Sequence, residues 1–139
     1  MSIQDKGSNP KANAFTCQIE GADAFSFPLV NAFRTERITI TGADYLPLDQ
    51  DIYKIEFTFD NDIVTAEYNL GHAKVKVDTE TGKANIRYTP ISMTLKLKVD
   101  HFSKSVSGVY AIDTVQDYGG VITPGIKLNG NFAVNYIDT

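Results

Sequence analysis

The chain has no tryptophan, one cysteine and two histidines among its 139 residues. Each scarcity removes a class of chemistry. A lone cysteine, Cys17, cannot form an intramolecular disulfide. It lies in the alternating run 14–19 on the same side as Phe15 and Ile19, which reads as a small buried apolar residue and not a reactive thiol. His72 and His101 have no His, Cys or carboxylate at metal-ligand spacing, so no zinc site is expected and both read as solvated loop residues. No stretch approaches eighteen apolar residues, so no membrane insertion is expected. The opening "MSIQDKGSNPKAN" has no apolar h-region. It is expected to be a polar tail over 1–12, not a signal peptide. That makes the location cytoplasmic by default, or exported if a signal has been removed. A basic surplus is missing as well: the formal charge is -4, which argues against nucleic-acid binding. Charge is uneven, however, since seven Lys/Arg face three Asp/Glu between Lys74 and Lys104. Alternating surface lysines on strands account for this more simply than one basic face.

Helical periodicity is also wanting. The period is two. "TLKLKVD" puts Leu95, Leu97 and Val99 opposite Thr94, Lys96 and Lys98, and "IYKIEFTF" sets Ile55, Phe57 and Phe59 against Lys54, Glu56 and Thr58. "IKLNGNFAVNY" aligns Ile126, Leu128, Phe132, Val134 and Tyr136, with Gly130 in the gap. Such alternation marks antiparallel strands with one buried and one wet face. Turn signals separate the runs: Gly82 in "DTETGK", Asp60-Asn61-Asp62, Gly42 and Pro47 in "TGADYLPLDQD", and Pro90 in "YTPIS". The reading is nine or ten short strands, near 13–20, 25–32, 36–42, 51–59, 63–70, 73–78, 84–89, 91–100, 105–114 and 126–136. They form a single all-β domain over 13–139. An antiparallel β-sandwich is expected, and a closed up-and-down β-barrel is the alternative. The strand count also suits the small intracellular lipid-carrier barrels. Those usually place a helical pair after the first strand, where Pro28 in "DAFSFPLVNAFRTER" opposes a long helix. "KVKV" and "KLKVD" read as lysine-guarded edges, favouring a monomer or loose dimer.

A search for catalytic groups returns little. Ser92, Ser105 and Ser107 lie in strands with no nucleophile elbow around them. Asp60 and Asp62 fail the EF-hand template, because Thr65 and Gly71 stand where its glycine and bidentate glutamate belong. Asp49 and Asp51 form a second acidic pair with no completing motif, so no metal and no cofactor are expected. Gly119-Gly120 lacks the helix and lysine of a phosphate cradle. Aromatic residues are the best binding signal. Tyr45 in "ADYLP" and Tyr118 in "QDYGG" sit beside aspartates in turn-rich segments, where an amphipathic ring suits a sugar face or a protein partner.

The C-terminal half carries a pattern of its own. Ser107-Gly108-Val109-Tyr110, then a loop, then Gly130-Asn131-Phe132-Ala133-Val134-Asn135-Tyr136 resembles a bacterial domain of unknown function from small exported lipoproteins. "AFTCQIEGADAF" and "RITITGAD" are similar to its opening strand pair. The resemblance implies a small antiparallel sandwich without established catalytic residues. The chain departs from it in lacking the lipoprotein signal and its acylated cysteine. The expected function is therefore a soluble, non-catalytic module that binds a protein or carbohydrate through end loops, with Tyr45 and Tyr118 as candidates. Two alternatives are a barrel carrying an apolar ligand and a hydrolase whose carboxylate pair is visible only in space.

Overall fold

A computed structural model describes residues 13–45, 51–83 and 85–139. The expected tail over 1–12, Pro47 and Asp49 lie outside them. Eleven strands run in order: β1 (Ala14–Ile19), β2 (Phe25–Ser26), β3 (Leu29–Arg34), β4 (Arg37–Ala43), β5 (Lys54–Asp60), β6 (Ala66–Asn69), β7 (Val75–Glu80), β8 (Ile86–Asp100), β9 (Ser105–Tyr118), β10 (Val121–Asn135) and β11 (Ile137–Asp138). They make two sheets, β2-β1-β10-β9-β8-β6 and β11-β3-β4-β5-β7, packed face to face as a sandwich. The closed barrel is not formed. Among the described residues no helix is long and apolar enough to cross a membrane.

The alternation read from the sequence is what the sheets bury. Ile55, Phe57 and Phe59 on β5 are fully buried, as are Ile38 and Ile40 on β4 and Leu95 on β8. Phe57 fastens one sheet to the other. Its ring lies 5.3 Å from Phe132, 5.5 Å from Tyr110 and 6.1 Å from Phe15, centroid to centroid. Aromatic groups thus fill the centre, where a carrier barrel would keep a cavity. Gly108 makes room for them, since a Cβ there would stand 2.6 Å from the Phe132 ring. Close packing, not a bulge, is the reason for that strand glycine. Gly130 answers the same description, lying against Thr16 O and Tyr110 Oη.

Several expectations need correction, most of them at proline or glycine. First, Pro90 does not divide two strands. β8 runs through it, with Ile91 as an extra residue between the pairs Pro90–Thr114 and Ser92–Asp113. This bulge shifts the buried side from Tyr88 to Met93, Leu95 and Leu97. Second, the segment after residue 114 is not a long loop. β9 continues to Tyr118, Gly119-Gly120 turns the chain, and β10 begins at Val121. Both glycines have positive φ, 60° and 89°, which a two-residue hairpin turn of this hand requires. Pro124-Gly125 sits inside β10 at a second bulge, between Pro124 and Lys127. Third, the lysines of "KLKVD" do not guard an edge, because there β8 lies between β9 and β6. Lys76, on terminal strand β7, does. Pro28 also breaks the expected strand over 25–32 into β2 and β3, and β11 was not anticipated.

Both bulges fall opposite the same stretch of β9, around Thr114. This buried hydroxyl accepts a hydrogen bond from Ile126 N at 2.9 Å and donates one to Ile126 O at 2.8 Å. One side chain therefore supplies the backbone partners that the bulged strand loses.

Candidate functional site

Ala43, Lys54 and Glu80 line up across β4, β5 and β7 at one end of the five-stranded sheet. The chain leaving Glu80 enters β8 at Ile86, which lies opposite Tyr118 in the other sheet. Tyr45 and Tyr118 therefore belong to the same end of the sandwich, and each is 54% exposed. Their settings differ from the expected pair of loop residues. Tyr45 follows β4 and rests edge-on against Tyr53, with ring centroids 5.4 Å apart. Tyr118 is the last residue of β9, held by pairing to Val121 and Ile86. Its exposure comes from overhang: β1 pairs with β10 only from Leu128 onward and β6 with β8 only from Thr94 onward. The tips of β8, β9 and β10 thus project, carrying Tyr118, Val121 and Ile122 into solvent.

Two polar clusters that sequence reasoning missed lie toward this same end. In one, Tyr53 Oη donates to Glu80 Oε1 at 3.0 Å, and Lys54 Nζ lies 2.9 Å from Glu80 Oε2. Lys54, with help from Tyr53, holds the Glu80 carboxyl below the usual carboxylate range. In the other, Tyr88 Oη donates to Asp51 Oδ1 at 3.4 Å, and Lys83 Nζ pairs with Asp51 at 2.7 Å. Burial, then the Asp51 charge, pushes the Tyr88 phenol upward. The partners in each cluster stand far apart in sequence, which is why no local motif announced them. Together the end offers half-exposed tyrosine rings beside held carboxylates and ammonium groups.

The remaining candidates fall into ordinary roles. Asp62 is drawn to Lys74 at 2.8 Å, and Asp60 lies 3.9 Å from Arg37. Cys17 is buried, and burial raises its thiol to about 11 despite a hydrogen bond with Tyr110. His72 Nδ1 accepts from Lys74 N at 3.1 Å. His101 is not simply solvated: Nε2 lies 2.6 Å from Ile63 O, and Nδ1 lies 3.2 Å from Tyr136 Oη. A carbonyl can only accept, so Nε2 carries a proton; in the neutral ring Nδ1 then accepts from the phenol. Arg34 donates to that phenol at 3.3 Å and to Asp138 at 2.6 Å. This network ties down the C-terminal strand at the opposite end from Tyr45.

Carboxylate chemistry can be judged from the same geometry. Asp62, Glu80, Asp100 and Asp138 are the described carboxylates with displaced pKa values, and all are displaced downward. The causes are Lys74, Lys54, the Ser103 amide and Arg34, in that order. A general acid needs the opposite displacement. Among the described residues no three His, Cys, Asp or Glu side chains group as metal ligands. No family model, curated protein or solved structure matches the chain.

Proposed function

We propose that the chain is a non-catalytic binding module that recognises a protein or carbohydrate through the end carrying Tyr45 and Tyr118. The observation behind this reading is that both rings are half exposed at one end of a rigid sandwich. A tyrosine of this kind presents a flat apolar face and a polar tip at little entropic cost, which suits a sugar ring or a protein anchor. Tyr53, Glu80 and Lys54 supply directional hydrogen-bonding groups beside Tyr45. Rigid strands with function-bearing termini are a common arrangement for recognition. The filled aromatic centre weighs against the apolar-ligand carrier. The likeness to the exported lipoprotein domain belongs to the same proposal and adds no catalytic residue.

The test is a glycan array and a panel of immobilised proteins, followed by titration of Tyr45→Ala and Tyr118→Ala against whatever binds. Loss of affinity by about tenfold or more in either variant is expected for an anchoring ring. Unchanged binding in both would remove the assignment to this end.

A further inference from the structure

The end of the sandwich away from Tyr45 holds a side chain that the fold leaves unused. Phe102, in the turn between β8 and β9, is 98% exposed. The turn around it is well fastened. Asp100 Oδ1 accepts from Phe102 N at 3.0 Å and from Ser103 N at 3.2 Å. Ser103 Oγ lies 2.8 Å from Ser105 Oγ, and Lys104 O accepts from Tyr136 N at 2.9 Å. His101 is held through both ring nitrogens. A large apolar ring is thus presented on a fixed backbone, which lowers the ordering cost of burying it against a partner.

Beside this turn the outer face of the six-stranded sheet is low. Lys98, Ser107, Ala133 and Ala14 stand in one cross-strand row over β8, β9, β10 and β1, and all but the lysine are short. The result is a hollow of about 260 Å³ lined by residues 98, 100, 105–107 and 133–135. It has room for a phenyl ring, because a cavity of about 150 Å³ accepts benzene. The turn joins Asp100 to Ser105, so Phe102 stands at the rim of the hollow, and its exposure shows that it does not fill it. Knob and hollow are therefore neighbours on one surface, which is the condition for a two-fold, self-complementary contact. Charge agrees with this. Lys98 and Asp100 both border the hollow, and among the described residues neither has an ion-pair partner. A two-fold axis between them sets Lys98 of each copy against Asp100 of the other. We propose that the chain pairs with a second copy of itself here, the Phe102 ring of each copy seated in the Ser107–Ala133 hollow of the other. Two aromatic anchors of roughly 150–250 Å² each, with their rims, bury less than about 1,200 Å² in total, the range of weak and transient pairs. No residue of the Tyr45–Tyr118 end takes part, so failure of either proposal leaves the other standing.

The chain has no tryptophan, so Phe102→Trp supplies a single fluorescent reporter. Its emission should move to the blue between about 10 μM and 1 mM protein, while sedimentation velocity shows the parent passing from monomer to dimer. Phe102→Ser removes the knob and Ala133→Lys fills the hollow, and each should weaken association about tenfold or more. Both positions are exposed, and unchanged urea midpoints would show that the variants fold. An equal mixture of the two variants regains one knob in one hollow and should associate more strongly than either alone. A parent that stays monomeric at about 1 mM, a dimer indifferent to both substitutions, or a mixture no better than its components overturns the proposal. So does a blue shift that appears only with phosphatidylcholine vesicles, which would give the ring to a lipid surface.

Discussion

Replacing Thr114 with valine tests whether Pro124-Gly125 is a gripped bulge or a free connection. The substitution keeps the shape of the side chain and removes its hydroxyl. Thr114 is 5% exposed, and its hydroxyl satisfies both Ile126 N and Ile126 O. Leaving a buried backbone group without a partner costs about 1–3 kcal/mol. Ile126 is only half-buried, so water relieves part of this, and about 1.5 kcal/mol for each group is the reasonable share. The added methyl returns about 0.8 kcal/mol. The net loss is about 2 kcal/mol, or roughly 6–8 °C in Tm for a chain of this length. Urea unfolding with an unchanged m-value measures it, and amide exchange at Ile126 locates it. Thr114→Ser keeps the hydroxyl and should cost less than valine. A valine variant within about 0.5 kcal/mol of the parent, a difference typical of plain surface substitutions, would refute the bulge account.

Phe57→Ala removes the ring that joins the sheets and should cost about 3–5 kcal/mol in urea unfolding. A cost near 1 kcal/mol, the average for point changes generally, would mean that the centre is loosely packed. Cys17 should resist a thiol reagent at pH 8 in the folded chain, because burial holds its thiol protonated to about 11; rapid labelling before unfolding contradicts this. Asp138 is held below the usual carboxylate range by Arg34 and then Lys104. Its contribution is complete above the unfolded value of about 3.9 and is lost as pH falls through the lower folded value. Protection of the Ile137 amide, relative to its intrinsic exchange rate at each pH, should therefore fall only in strong acid, and Asp138→Asn should remove that dependence.

Class and face were legible because burial imposes a period of two, and β5 displays it without interruption from Lys54 to Asp60. Boundaries failed where proline and glycine occurred within strands. Both residues mark turns in most contexts, but at an edge Pro90 loses no ladder bond, and beside Thr114 Gly125 permits a close approach that a side chain would block. The hairpin at Gly119-Gly120 was hidden by the second pair, Pro124-Gly125, which made one long loop the simpler reading. Tyr45 and Tyr118 could be singled out because they stand next to aspartates in turn-like segments. Their common end could not, since it depends on the register of β8 against β9 and of β5 against β7. The clusters around Glu80 and Asp51 were invisible for the same reason: Tyr53 and Glu80, or Asp51 and Tyr88, meet only after the sheets form.

The central claim is that recognition takes place at the Tyr45–Tyr118 end. Backbone amide shifts recorded while titrating the strongest glycan or protein from the screens test it most directly. The account predicts that the largest changes fall on Tyr45, Tyr53, Glu80, Tyr118 and Gly119, and that Tyr45→Ala removes those near Tyr53. Changes confined to the opposite end, around exposed Phe102 and the Arg34–Asp138 network, would contradict it.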